Sequence, residues 1–209
     1  MKGGFRASRI FAGLPPHGDG QKIGLYGGSF NPAHIGHRQV SLFALKRLAL
    51  DRIWWLVTPG NPLKDAAGLP PLQERMQRAA EIAASPRIVV TGAEAAFRTR
   101  YTADLIEALE RHAASARFVW IMGSDNLDQF HRWEKWREIA AAVPIAVVNR
   151  PGSLAAALSA PAAQALARHR IDEADAPLLA YQTPPSWVFL TGPRNAASST
   201  ALRTRGGTS

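Results

Sequence analysis

The sequence predicts a doubly wound α/β fold, a parallel sheet with helices on both faces. Three observations carry this. Short, nearly continuous apolar runs such as "KIGLYGG" and "RIWWLV" alternate with longer stretches of helical period, the pattern of strands buried on both faces. Glycine or proline stands at the exit of one run after another, as tight strand-to-helix turns require. The 209 residues are 46% hydrophobic and 20% charged, enough for one domain with a substantial core.

The elements follow in order. "KIGLYGG" (Lys22–Gly28) reads as a buried strand stopping at paired glycines. Asn31 reads as a helix N-cap, with Pro32 in the first turn and Val40, Phe43, Ala44, Leu45 and Leu48 at helical spacing up to about Leu50. "RIWWLVTPG" is a strand ended by Pro59 and Gly60, and "LPPLQERMQRAAEIAAS" a helix with Pro71 near its start. Next come strand "RIVVTG", helix "YTADLIEALERHAA", strand "RFVWIMGSD", the helical run "NLDQFHRWEKWREIAAA" and strand "PIAVVNRPG". Ser153 to Ala176 is alanine-rich with helical tendency, and "SWVFLTG" is a late strand before the final "NAASSTALRTRGGTS".

Residues 22–209 are thus expected to form one domain. The stretch before it, "MKGGFRASRIFAGLPPHGDGQ", reads as a mobile leader of residues 1–21: "IFAGL" is too short for a signal-peptide core, and Pro15, Pro16, Gly18 and Gly20 follow it. No apolar run approaches the ~20 residues of a membrane-spanning helix, so a cytoplasmic protein with no membrane partner is the expectation. The absence of cysteine excludes disulfides and thiolate zinc sites. The formal charge of +9, mostly from arginine, suits an anionic partner: nucleic acid, a membrane surface or a phosphorylated small molecule.

In a doubly wound sheet, ligands bind outside the carboxyl ends of the strands. The segments there are "GGSFNPAHIGH", "TPGNPLK", "MGSDN" and "NRPG", which share one rim. Gly27 and Gly28 permit a sharp turn and close approach of backbone to a ligand. The helix beyond them offers unpaired N–H groups to phosphate. The turn matches neither the P-loop, which ends Gly-Lys-Ser/Thr, nor the G-x-G-x-x-G dinucleotide fingerprint. His34 and His37, three residues apart, share a helix face and can point at one ligand. A zinc pair would need further ligands, and no H-E-x-x-H is present. Beside a phosphate-binding turn, the imidazoles read better as donors to oxyanions.

"GGSFNPAHIGH" and "SSTALR" resemble the two signatures of the nucleotidylyltransferase superfamily, an H-x-G-H motif and a Ser/Thr-rich segment ending in arginine. "WWLVTPGNPLK", "RYTADLIEAL", "WIMGSDNLDQFHRWEKW" and "VVNRPG" are similar to bacterial nicotinate-nucleotide adenylyltransferases. The resemblance runs from about Lys22 to Arg203. It implies a Rossmann-like nucleotidylyltransferase fold with ATP on Gly27, Gly28, Ser29 and Phe30. His34 and His37 would face the triphosphate, with Ser199, Thr200 and Arg203 closing on it, and Asp125 near the ribose. His34, His37 and Arg203 would be the catalytic groups. The acceptor, nicotinate mononucleotide, would lie by Asn61, Lys64, Tyr101, Thr102 and Trp133, with Trp133 stacked on the pyridine and Arg150 near the pocket. Trp54, Trp55 and Trp136 read instead as packing residues. The lead "NAASSTALR" departs from the family's isoleucine-containing version without touching the proposed site.

The implied reaction transfers the adenylyl group of ATP to the mononucleotide, giving deamido-NAD and pyrophosphate, a step of NAD biosynthesis. The attacking phosphate, with a second pKa near 6, is mostly dianionic at neutral pH, so no general base is required. Mg²⁺ is the expected cofactor, held by phosphate and water rather than by protein ligands. Alternatives are a related transferase acting on nicotinamide mononucleotide or phosphopantetheine, an aminoacyl-tRNA synthetase fragment sharing "HIGH", and a non-catalytic nucleic-acid-binding protein. The synthetase reading lacks a K-M-S-K-S segment. The nucleic-acid reading lacks a basic stripe with interleaved aromatics, so no nucleic-acid partner is expected. Homo-oligomerisation is left open by the sequence.

Overall fold

The structure is a computed structural model that describes residues 7–60, 69–149 and 154–192, the side chains of 154–156 excepted. Its centre is a seven-stranded, all-parallel sheet. In chain order the strands are β1 (Arg9–Phe11), β2 (Lys22–Gly28), β3 (Arg52–Val57), β4 (Ile88–Thr91), β5 (Arg117–Gly123), β6 (Ile145–Val148) and β7 (Trp187–Leu190). Their order across the sheet is β1-β4-β3-β2-β5-β6-β7. From β2 the chain winds outward through β3 to β4, then returns to β5 and winds the other way to β7. The direction therefore reverses between β2 and β5, where ligands of such sheets bind.

The helices are α1 (Ile35–Arg47), α2 (Leu72–Ala83), α3 (Ala93–Phe97), α4 (Thr102–His112), α5 (Ser124–Phe130), α6 (Trp136–Ala142), α7 (Leu154–Ser159) and α8 (Pro161–Ala165). Two apolar cores lie on opposite faces of the sheet. One joins Tyr26, Trp55, Val90, Ile121 and Val148 to α1 and α2; the other joins Leu25, Trp54, Val89, Trp120 and Val147 to α4, α5 and α6. Strand alternation explains the split: Trp54 and Trp55, adjacent and both fully buried, serve opposite cores. A strand buried on both faces must be apolar throughout, which is why "RIWWLV" reads as a continuous run.

Several local expectations are corrected. Arg9–Phe11, placed by sequence inside a mobile leader, form the edge strand β1 against β4. Ser8 N–H donates to the Ala80 carbonyl at 3.0 Å, and Gly92 N–H to the Phe11 carbonyl at 3.0 Å. Further on, Gly20 N–H donates to Ser115 and Arg117 N–H to Gln21, at 2.7 and 2.8 Å. The physical reason is the open edge of β4, whose unpaired backbone groups β1 satisfies. The first helix begins at Ile35 rather than beside Pro32, because His34 is its N-cap. The helical run expected over 126–142 is broken into α5 and α6, with Lys135 in left-handed backbone conformation (φ 52°) between them. The helical tendency expected of the alanine-rich 153–176 stretch, by contrast, is met by α7 and α8, with 3-10 segments following over Ala167–His169 and Glu173–Tyr181. Helix α3 is an addition that the sequence reading lacks.

Candidate active site

The site is built on the rim where β2 and β5 leave the sheet. Gly27 packs directly over β5: a Cβ on it would come within 3.0 Å of the Trp120 ring. The absence of a side chain there lets the β2 exit lie flat on its neighbour. Phe30 then reverses the chain with a positive φ of 46°. Its ring is buried, stacked on Trp55 at 4.8 Å and tilted against His37 at 4.9 Å. The Phe30 side chain is thus a core anchor for the turn.

His34 and His37 stand together at the head of α1, ring centroids 3.8 Å apart. They form a reciprocal cap. His34 Nδ1 accepts the Gly36 N–H at 3.1 Å, and His37 Nδ1 accepts the His34 N–H at 3.2 Å. These amides would otherwise be orphan donors of the first helical turn. A ring nitrogen that accepts an amide proton carries none, so each neutral ring bears its proton on Nε2. His34 is 5% exposed, its cap locked by burial. Phe30, Tyr26 and Trp55 surround His37 on the sheet side. Two neutral imidazoles of fixed tautomer, at the positive end of a helix, suit hydrogen-bond donation to phosphate oxygens.

The remaining expected residues divide by location. Asp125 is exposed in the first turn of α5, immediately past the β5 exit. Tyr101 is the N-cap residue of α4 and Thr102 its first residue, both half-buried. Trp133 sits in the break between α5 and α6, half-buried, edge-on to Trp120 at 6.2 Å and to Phe130 at 5.4 Å. Trp120 therefore braces Trp133 and lies under Gly27, linking the glycine turn to the break between α5 and α6. Trp136 is buried against Phe130, a packing residue as expected. Asn61, Lys64, Arg150, Ser199, Thr200 and Arg203 lie outside the described residues.

Two charged residues on this rim escaped the sequence reading. Glu94, in α3 just beyond β4, is 6% exposed, and burial pushes its carboxyl up to about 7. Arg75, in α2, is 2% exposed and donates to Ser29 in the glycine turn. A signal for Arg75 existed: it directly precedes Met76 on the stripe Met76, Ala79, Ala80, Ala83 that docks the helix.

Comparison with known proteins bears on this geometry. The cytidylyltransferase-like family model matches residues 25–205. A probable nicotinate-nucleotide adenylyltransferase of Bradyrhizobium sp. (strain ORS 278) is 62% identical over 182 residues, covering 87% of this chain and 95% of that one. One of Methylorubrum extorquens (strain PA1) is 59% identical over 184 residues, covering 88% of this chain and 100% of the relative. Among solved structures, Plasmodium falciparum nicotinic acid mononucleotide adenylyltransferase complexed with APC aligns with a TM-score of 0.60 at 17% identity, over 88% of this chain and 83% of that one. That likeness speaks to the fold, and the doubly wound sheet is shared. Identity of this level over nearly all of each bacterial relative places the chain: it belongs to the nicotinate-nucleotide adenylyltransferase family, within the cytidylyltransferase-like proteins.

Proposed function

We propose that the chain joins ATP and nicotinate mononucleotide to give deamido-NAD and pyrophosphate. The observation that supports this best is the pair of mutually capped imidazoles beside the glycine exit, at the point where strand order reverses. An oxygen of the mononucleotide phosphate attacks the α-phosphorus of ATP, a new O–P bond forms, and the bond to the bridging oxygen of pyrophosphate breaks. No proton has to move, so the site needs alignment and charge stabilisation rather than a base.

The Nε2–H groups of His34 and His37 donate to oxygens of the triphosphate as charge develops there. The Gly27–Phe30 turn binds ATP through its backbone, and Asp125 lies by the ribose. Trp133 stacks on the pyridine, with Asn61, Lys64, Tyr101, Thr102 and Arg150 around the acceptor. Ser199, Thr200 and Arg203 close over the triphosphate. Mg²⁺, when bound, neutralises triphosphate charge. A cation carried by phosphate oxygens and water asks for no protein ligands. Among the described residues no helix is long and apolar enough to cross a membrane.

The test is pyrophosphate release with ATP and Mg²⁺, the acid and amide mononucleotides compared side by side. Turnover is expected with the acid, well above the amide. Preference for the amide, or turnover of neither, would refute the acceptor assignment.

A further inference from the structure

Strands β2 and β3 share a last backbone rung just past their ends, where Thr58 N–H donates to the Gly28 carbonyl at 3.0 Å. Beyond it the chains part, one entering the glycine turn and the other the segment that leads to Asn61. The guanidinium of Arg75 supplies the next step. Its Nη1 donates to the carbonyls of both Ser29 and Thr58 at 2.8 Å. Nη2 donates to the Pro59 carbonyl at 3.2 Å, and Nε to the Pro70 carbonyl at 2.9 Å, ahead of α2. Four of the five N–H groups of the fork are thereby placed on three separate segments.

A role in docking α2 alone does not account for this. Met76, Ala79, Ala80 and Ala83, all buried, already seat the helix. Burying a cation is costly unless it is fully solvated by the protein, and burial lowers the Arg75 pKa from its ordinary value. Each hydrogen bond from Arg75 among the described residues goes to a carbonyl, and three of those carbonyls belong to the two strand exits. We propose that Arg75 is a positioning residue that couples the two substrate loops. Its fork fixes the spacing between the glycine turn at Ser29 and the β3 exit at Thr58 and Pro59, so that a ligand restraining one restrains the other. The proposal rests on the reading that ATP sits on Gly27–Phe30 and the acceptor beyond Thr58.

Two measurements test it. In Arg75→Lys, an ammonium with donors on a single atom cannot span the three segments. The KM values for ATP and for nicotinate mononucleotide are expected to rise together, each at least fivefold, with the circular dichroism spectrum unchanged. A purely structural role would lower Tm and leave both KM values near wild type; a rise in one KM alone would equally overturn the coupling. The second measurement uses the wild-type chain and stands even if the variant fails to fold. Hydrogen exchange is followed with ATP alone and with nicotinate mononucleotide alone. ATP is expected to protect peptides covering 58–60 as well as 28–31, and the mononucleotide to protect 28–31. Protection confined to each ligand's own loop would overturn the proposal. The same exchange data separate the two layers: if ATP fails to protect 28–31, or the mononucleotide fails to protect 58–60, the loop assignment falls and the coupling with it; if each protects its own segment alone, only the coupling falls.

Discussion

The Nδ1 atom of His37 accepts the backbone N–H of His34 at 3.2 Å, so an imidazole of the site caps the helix that carries it. With His34 Nδ1 bound to the Gly36 amide, helix start and proposed phosphate contact are one structure. The two roles of His34 can be separated. Asparagine is a preferred N-cap residue and retains an acceptor, whereas alanine removes it. His34→Asn is therefore expected to keep the wild-type Tm within a few degrees while kcat falls by about 10²-fold, the usual loss for one oxyanion donor. His34→Ala is expected to lose the same activity and a further ~1 kcal/mol of stability from the missing cap. Chemical denaturation paired with pyrophosphate-release kinetics checks both. Equal activity in the Asn variant and wild type would show that the ring contributes only the cap.

Glu94 makes stability depend on pH in an unusual direction for a carboxyl. Burial raises its folded-state pKa to about 7, above the ordinary value of 4.5. Below pH 4.5 both folded and unfolded chains hold the proton, and the group contributes no penalty. Between 4.5 and 7 the unfolded chain releases its proton while the native state keeps it, so this group's contribution erodes as pH rises. Above 7 the full penalty is in place, on the order of 3 kcal/mol. Glu94→Gln is expected to match wild type near pH 4 and to be more stable at pH 8. Urea unfolding at the two pH values decides; a variant less stable at pH 8 would mean that the carboxylate has a stabilising partner.

The clearest features in the sequence were those set by local pattern. Trp54, Trp55 and Leu56 announce a doubly buried strand because every position faces a core. The rim was legible because parallel strands put Gly28, Thr58, Gly123 and Asn149 at the same end. What escaped depends on distant neighbours. "RIF" has no strand signature of its own; it is a strand because β4 offers an open edge. Phe130, Trp133 and Trp136 recur at helical spacing, which hides the break at Lys135; packing of Trp133 on Trp120 overrides the local pattern. Asn31 looked the better cap by propensity, yet two imidazoles do that work, and nothing local in "HIGH" signals it. The acceptor residues are proposed through family resemblance alone, since a single lysine or arginine has no sequence pattern of its own.

The edge strand gives a third prediction. Ser8 Oγ donates to the Ser85 carbonyl at 2.9 Å and accepts the Ser85 N–H at 3.1 Å, pinning the start of β1 beside the β4 entry. Thr91 Oγ1 donates to the Gly13 carbonyl at the other end. Removing residues 1–13 therefore deletes several buried hydrogen bonds, each worth about 1 kcal/mol net, and bares the β4 edge. Tm is expected to fall by roughly 5–10 °C. Size-exclusion chromatography should show self-association of the truncated chain. An unchanged Tm with a monodisperse peak matching the full chain would mean that β1 contributes nothing to stability.

Gly192 sets up the fourth. It follows β7, and a Cβ on it would lie 2.7 Å from the Asn149 carbonyl oxygen and 2.8 Å from Val148 Cγ1. Backbone resists such displacement far more than a side-chain tip does. Gly192→Ala must therefore push apart the exits of β6 and β7, which lead toward Arg150 and toward the Ser199–Arg203 segment. Overpacking of this kind costs about 1–3 kcal/mol. The informative result is kinetic. If those segments bind substrates as proposed, kcat/KM should drop more than tenfold in protein that remains folded at the assay temperature. His112→Ala, an exposed ring stacked on Phe97 and far along the chain from both segments, serves as the control and should leave kcat/KM unchanged. A Gly192→Ala enzyme with lowered Tm but wild-type kcat/KM would show that the close approach serves the sheet alone, and would remove the β6 and β7 exits from the site.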